Sequence, residues 1–453
     1  MSTILGTQLL MMPMAVVQGI YAKYYGVALT SIALVLLFSR LLDAITDPLV
    51  GYFSDRSRAR TGSRKPYIVS GGLGCAVCGY FLYVPPDEVG IAYFATWMCL
   101  FYLAFTVYFI PFLAWSRELT QSSTERAWLF SLMSASQQLS GVIFFLVPFL
   151  PIFASPEITP KTLEVIALVG VLLMLVTIVW AVRNVPNGSV GGAGQDYHQT
   201  SFKNFVAEFF LLIRRNPPYR LFLVAFGLIE LGLGMFLGLD FIYIDIYLGL
   251  GEQYATMSLI ALVFILAIIP ICYRLIALWG NRNTWMLASA SFFIGLLYVG
   301  SLTPNEAGLT QLLIVRFFYM IGFGFVNIVV LSVISEAVDY GEWVENTNKS
   351  GMYFSIYSFF IKTQLALGAA LSLAMAGWFG FDATASTQSE TAVLGLRLAI
   401  AWIPAFLVVV GTIFVWLTPL NERRNRIVRR RLDQRAAAYK REQELRGQEV
   451  LAI

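Results

Sequence analysis

Apolar residues in this chain come in long runs. They lie near 3–25, 28–54, 66–84, 90–115, 127–153 and 163–183, and again near 219–248, 253–277, 283–302, 309–336, 350–379 and 392–418. About 20 apolar residues wound as a helix cross the ~30 Å hydrocarbon core of a bilayer. Lipid offers no partner to free backbone groups, so the helix is the favoured form. A membrane β-barrel would need alternating segments of about 10 residues, a pattern the chain lacks. The pattern therefore predicts an all-α integral membrane protein with twelve transmembrane helices. Between the sixth and seventh runs lies RNVPNGSVGGAGQDYHQTSFKNF, whose Gly, Asn and Ser content reads as a linker. Six runs on either side predict two six-helix bundles from a duplicated fold. Their expected extents are 1–183 and 219–418, with a linker at 184–218 and a basic tail at 419–453.

Composition agrees with this division. Of 453 residues, 58% are hydrophobic and 13% charged, against roughly 25% charged in a soluble chain. The four cysteines, Cys75, Cys78, Cys99 and Cys272, all lie in apolar runs. CAVC has redox or metal-pair spacing, but without companion ligands it reads as small helix residues. The single histidine, His198, sits in the linker, which argues against a metal site or a histidine relay inside the membrane. The N-terminus lacks a charged region before its apolar run, so it reads as a first span and not a cleaved signal.

Charge sets the expected orientation. One set of loops holds Arg56, Arg58, Arg60, Arg64, Lys65, Arg117, Arg126, Arg183, Lys203, Arg214, Arg215, Arg220, Arg282 and Lys349; the opposite set holds Lys23 and Lys161. The rich side is expected to face the cytoplasm, with both termini. The tail RRNRIVRRRLDQRAAAYKRE is expected to be a basic helix at the anionic membrane surface, or a regulatory segment. The net charge of +4 follows from this bias and calls for no nucleic-acid partner.

The second run carries the chemistry. Arg40, Asp43 and Asp47 are spaced to share one helix face. A charge inside a membrane helix costs at least ~2.5–3.5 kcal/mol, so the stripe must be paired or must line a wet passage. Two readings stand: a static salt-bridge network, or a cation site. Paired carboxylates with hydroxyl or carbonyl oxygens suit a hard ion such as Na⁺, and equally suit reversible protonation. Thr46 offers a further oxygen, and Pro48 frees the carbonyl of Ala44.

These residues carry a resemblance. DAITDPLVGYFSDRSRARTGSRKP resembles helix two and the following loop of the glycoside–pentoside–hexuronide:cation symporters, a melibiose-carrier-like family of the major facilitator superfamily. IPFLAWSRELTQSSTERAWLF is similar to the family's helix four and its loop. VDYGEWVENTNKSGMYFSIYSFFIKTQLALGAA is similar to its loop ten and helix eleven. The resemblance implies the major facilitator superfamily fold and alternating access. It implies that Asp43 and Asp47 bind the coupling cation (as metal ligands, if that cation is Na⁺), with Thr46 and Thr106 completing the site. It also implies that Lys362 reaches toward the central cavity. In residue terms that lysine stands in an apolar run and needs an acidic partner, for which the helix-two carboxylates are the candidates.

The departures bear on the solute. The family's melibiose carrier presents an aspartate from each of helices one and four. Here helix one holds no acid, and the helix-four position is Phe109; the carrier's helix-five arginine also has no counterpart. Besides Lys362 and Arg40, candidate solute contacts are Tyr108, Phe109, Gln137, Glu230, Asn327, Tyr357 and Ser358, with Gln8, Gln18 and Gln138 as further polar positions. Interhelical hydrogen bonding is the plainer role for each. Asp240 and Asp245 are expected to be hydrated near the end of their run, or Asp240 to line an outer vestibule with Tyr243 and Tyr247. A cytoplasmic gate is expected from Asp55, Glu118, Asp339 and Glu342 with Arg56, Arg126 and Lys349, or else these are ordinary loop charges.

The function expected is a Na⁺- or H⁺-coupled symporter of a small organic solute, a sugar, glycoside or uronide. An amphiphilic solute is the alternative, since vertebrate relatives of the family carry lysophospholipids. A membrane enzyme would need a nucleophile–base pair or a metal cluster, and the sequence offers neither. A non-transporting sensor is a third class. No cofactor beyond the coupling ion is expected, and the protein is expected to act as a monomer in a bacterial inner membrane.

Overall fold

The computed structural model describes residues 2–119, 123–187, 211–304, 306–345, 350–385 and 387–419, with 427–428, 430–432 and 434 of the tail. Most of the predicted linker and tail, His198 included, lies outside the described residues, as do Lys349 and the side chains of Arg117, Glu118 and Arg126.

The first span is two helices, α1 (Ser2–Met11) and α2 (Val17–Tyr25), bent by 50° across a 3-10 turn at Met12–Ala15. Next come α3 (Leu29–Thr61), α4 (Lys65–Tyr83), α5 (Ile91–Leu119), α6 (Ser123–Leu146) and α7 (Pro160–Asn184). The second half begins with α8 (Pro217–Ile242), which closes in a π-turn at Tyr243–Tyr247. Then follow α9 (Gly251–Ser301), α10 (Leu309–Glu345), α11 (Ser350–Trp378), α12 (Glu390–Arg397) and α13 (Ile403–Leu417), the last two joined by a π-turn.

Among the described residues ten spans are long and apolar enough to cross a bilayer, α12 and α13 counting as one through their π-turn, and the bent α1–α2 pair makes eleven. α9, at 51 residues, is about twice the length one crossing needs, and it is broken at Gly280, whose φ of 77° is non-helical. Split there, it supplies two spans, in keeping with the twelve the sequence predicts. One boundary moves. The predicted loop after span two is largely helical, because α3 runs on to Thr61 and stops at left-handed Gly62. Arg64 fixes that turn by donating to Ser54 Oγ and to Asp55.

The halves meet along two seams, α3 against α11 and α6 against α9. Within the second half, α8 and α11 pack backbone to backbone: a Cβ on Gly234 would meet Leu365 O, and one on Gly368 would meet Leu231 O. Asn216, the N-cap of α8, accepts from Tyr219 N–H and donates to Ala337 O and Tyr353 Oη. It thus ties α8 to α10 and α11 in a buried position. Asn216→Ala is expected to lower stability by about 1–3 kcal/mol. A thermal-shift measurement on purified protein checks this; an unchanged midpoint would show the clip to be idle.

Packing is uneven along the bundle axis. At the end carrying Lys23, one apolar core runs through both halves, from Tyr21 and Tyr83 to Phe241 and Tyr254. Toward the arginine-rich end the second half has a separate core built on Tyr219, Phe222, Trp285 and Val333. The halves are therefore fused at one end and keep separate interiors at the other.

Candidate functional site

Midway along the α3–α11 seam lies a cavity of ≈ 530 Å³, a size ordinary for small-molecule sites. Arg40, Asp43, Ala44, Asp47 and Pro48 of α3 line one wall; Phe354, Ser355, Ser358, Phe359, Lys362 and Thr363 of α11 line the other. The helical spacing of Arg40, Asp43 and Asp47 puts all three on the wall, so the charged stripe faces the cavity and not lipid.

The charges pair across and along that wall. Arg40 Nη1 donates to Asp43 Oδ2 at 2.7 Å, and its guanidinium lies over the Tyr102 ring of α5 at 3.9 Å. Lys362 Nζ donates to Asp47 Oδ2 at 2.9 Å, a bond from the second half to the first. Thr106 Oγ1 donates to the other oxygen of Asp47 at 3.0 Å. Tyr102, Thr106 and Phe109 share one face of α5, which brings Thr106 to the carboxylate. Thr46 Oγ1 and Arg40 Nε are buried without hydrogen-bond partners.

Two positive and two negative side chains balance each other. A cation entering the site would compete with the basic group already paired to each carboxylate. Arg40 is held by stacking and is 21% exposed; Lys362 is 56% exposed, so Lys362 is the easier to move. An exposed pair is worth only ~0–1 kcal/mol. A cation entering there would find the carboxylate oxygens of Asp47 and Asp43, donors of the kind hard ions take; Thr46, one residue before Asp47, is not among the lining residues. Among the described residues no group of three or more His, Cys, Asp or Glu is placed to hold a metal ion.

The other sequence candidates divide between the cavity and the rest of the bundle. Ser358 lines the cavity, while Tyr108 lies in the first-half core, 1% exposed and stacked on Phe112. Phe109 stacks on Phe105, and Gln137 and Asn327 are exposed. Glu230 is buried in α8 near the phenols of Tyr319 and Tyr357, and the Tyr357 ring rests on Phe226. At the arginine-rich end Asp55 pairs with Arg64, and Arg56 is exposed. Asp339 and Glu342 stand half-buried on the last turns of α10.

Two expectations are corrected. Asp240 is not hydrated: it is 4% exposed and bonded to Arg316 of α10 and to the Tyr254 hydroxyl. Asp245 is likewise buried, 2.8 Å from Lys23. Both are paired because α8 folds its end into the shared core, where an unpaired charge would be costly. Tyr243 is also buried, donating to Val299 O, so it lines no vestibule. Sequence reasoning missed Tyr102, Phe354, Phe359 and Arg316. Arg316 alone left a signal, as a lone cation near the start of an apolar run.

A sequence profile of the family described as MFS/sugar transport protein matches residues 1–422. The chain belongs to that family. Among curated proteins it is 24% identical over 432 residues to the uncharacterized symporter YnaJ of Bacillus subtilis, covering 92% of this chain and 90% of that one. It is 23% identical over 429 residues to the putative glycoside/cation symporter YagG of Escherichia coli, with the same coverage of 92% and 90%. Among solved structures, a bacterial homolog of the human lysosomal transporter Spinster, in an inward-facing and unoccupied conformation, aligns with a TM-score of 0.65. That alignment covers 92% of this chain and 94% of the other at 12% identity, a likeness of fold. The fold is thus the major facilitator fold in a multi-pass membrane protein.

Proposed function

We propose that this chain is a cation-coupled symporter of a small organic solute, a sugar, glycoside or uronide, working by alternating access. Membership of a sugar-transport family and the names of its symporter relatives support the class; transport, not chemical conversion, is what they have in common. The observation that carries the reading is the Asp47–Lys362 bond, because it ties a carboxylate of one half to an ammonium of the other across the cavity.

In this reading Lys362 serves as a tethered cation. While no coupling ion is present, its ammonium keeps Asp47 neutralised. Na⁺ or H⁺ arriving at Asp47, with Asp43, Thr46 and Thr106 beside it, releases the ammonium into the cavity. The freed Nζ, with Ser358 on the same wall, then offers donors to a solute hydroxyl or carboxylate. Coupling follows, since ion and solute each favour the same rearranged site. The ion gradient suffices as driving force without a cofactor, and a single chain contains the whole site.

The arginine-rich end is read as cytoplasmic by its positive charge, with both termini there and an inner-membrane location. The open α3–α11 cavity then corresponds to an inward-facing state. The charges at that end, Asp55, Arg56, Asp339 and Glu342 among them, are the candidates for an inner gate. An amphiphilic solute is the second reading: Phe354, Phe359 and Pro48 give the cavity apolar walls beside two cations.

The test is uptake into proteoliposomes of a solute panel of neutral glycosides, uronides and lysolipids, with Na⁺, Li⁺ and H⁺ gradients imposed separately. Accumulation of a glycoside or uronide under one gradient is the expected result. Accumulation of lysolipid alone favours the second reading. No gradient-driven accumulation of any of them would point to a non-transporting sensor.

A further inference from the structure

At the end opposite the arginine-rich loops, Lys23 closes α2 in the first half. Its ammonium is 2.7 Å from Glu157 Oε1 and 2.8 Å from Asp245 Oδ2. Glu157 precedes α7 and belongs to the same half; Asp245 sits in the π-turn that ends α8 and belongs to the other. Tyr24 also donates to Glu157, at 3.2 Å. Asp245 is sealed, its side chain 1% exposed. Gly251 leaves the space this arrangement needs, since a Cβ there would run into the Asp245 carboxylate.

Around this cluster the halves touch closely. A Cβ on Gly19 of α2 would overlap Phe241 of α8, with Ile242 beside it, and one on Gly377 of α11 would overlap Thr30 of α3. Apolar contacts of this kind hold in any closed state. The ion cluster differs because its partners are divided unequally: one acid travels with Lys23 and one does not.

We propose that Lys23 is a gating residue, its ammonium holding the solute path shut at this end by bridging Glu157 of its own half to Asp245 of the other. When the halves part here, Lys23 keeps Glu157 and gives up Asp245, which turns out into water. The ammonium loses one of its two acids and no buried cation is left alone, so opening stays within reach of a transport cycle. The gate is distinct from the Asp43–Asp47 site and stands whether the coupling ion is Na⁺ or H⁺.

The experiment uses Ile242→Cys as a reporter in the full chain, reconstituted in nanodiscs and labelled with a polar maleimide. The parent bearing only its native cysteines gives the background. Ile242 is 1% exposed behind Gly19, so labelling reports opening of this end. Lys23→Gln and Asp245→Asn are each expected to raise the labelling rate on the order of tenfold. Glu157→Gln, which leaves the Lys23–Asp245 bridge in place, is expected to change it much less. The exchange Lys23→Asp with Asp245→Lys rebuilds the bridge and is expected to return labelling to the slow rate. Equal effects of all three single changes would reduce the cluster to ordinary structural support and overturn the gate. So would parental labelling in Asp245→Asn. If a single variant does not yield monodisperse protein, the exchange decides alone: slow labelling supports the bridge, fast labelling overturns it.

Discussion

Asp47→Cys is expected to abolish gradient-driven accumulation of solute, lowering it by tenfold or more. The carboxylate does two jobs that a thiol cannot take over. It holds the Lys362 ammonium at 2.9 Å, and it offers hard oxygen to an incoming ion beside Asp43 and Thr106. Without it, Lys362 stands mid-span with its acid gone, a situation that costs about 2.5–3.5 kcal/mol on insertion scales unless the side chain finds water. Because the pair lines an open cavity, where the Lys362 ammonium is 56% exposed, the variant is expected to fold and insert. The loss then belongs to coupling, and solute exchange without a gradient is expected to persist. Uptake and counterflow, measured on the same proteoliposome preparation, separate the two. Undiminished accumulation in a correctly inserted variant would remove Asp47 from the ion site.

Lys362→Ala is the second large effect. If the ammonium competes with the coupling ion, removing it leaves Asp47 open, and the ion binds without first displacing anything. The solute loses a donor, and its affinity is expected to fall on the order of tenfold. The more telling change is that the ion no longer strengthens solute binding, because the group that carried the message is gone. Titrating solute with and without Na⁺, and at two pH values, measures that dependence directly. A variant whose solute affinity still rises with the ion would show Lys362 to be a passive neighbour. The weak energy of an exposed pair favours this switching role over a stabilising one, and expression is expected to be unaffected.

The two variants bear on different links. Asp47→Cys removes the ion's anchor, whereas Lys362→Ala removes the competitor that makes ion and solute communicate. Neither touches the Lys23 cluster, so gating at that end can be measured independently of both.

The sequence by itself determined the class of fold and the location of the charged stripe. Run length against bilayer thickness set the spans, and helical spacing placed Arg40, Asp43 and Asp47 on one face. It also pointed Lys362 toward those carboxylates, since a lone ammonium in an apolar run needs an acid. Tertiary structure alone decided how the remaining charges are shared. Asp240 and Asp245 read as hydrated because they stand near a run's end, yet α8 folds that end inward, against Arg316 and Lys23. Asp55 took Arg64, not its neighbour Arg56, because the turn at Gly62 swings Arg64 back over α3. Tyr102 and the cavity phenylalanines carried no signal, since in a chain with 15% aromatic residues one ring looks like another until its partner is known. Periodicity and hydropathy are properties of a segment and can be read from the chain. The choice of a partner is a property of distances between segments far apart in sequence, and those exist only once the helices have packed.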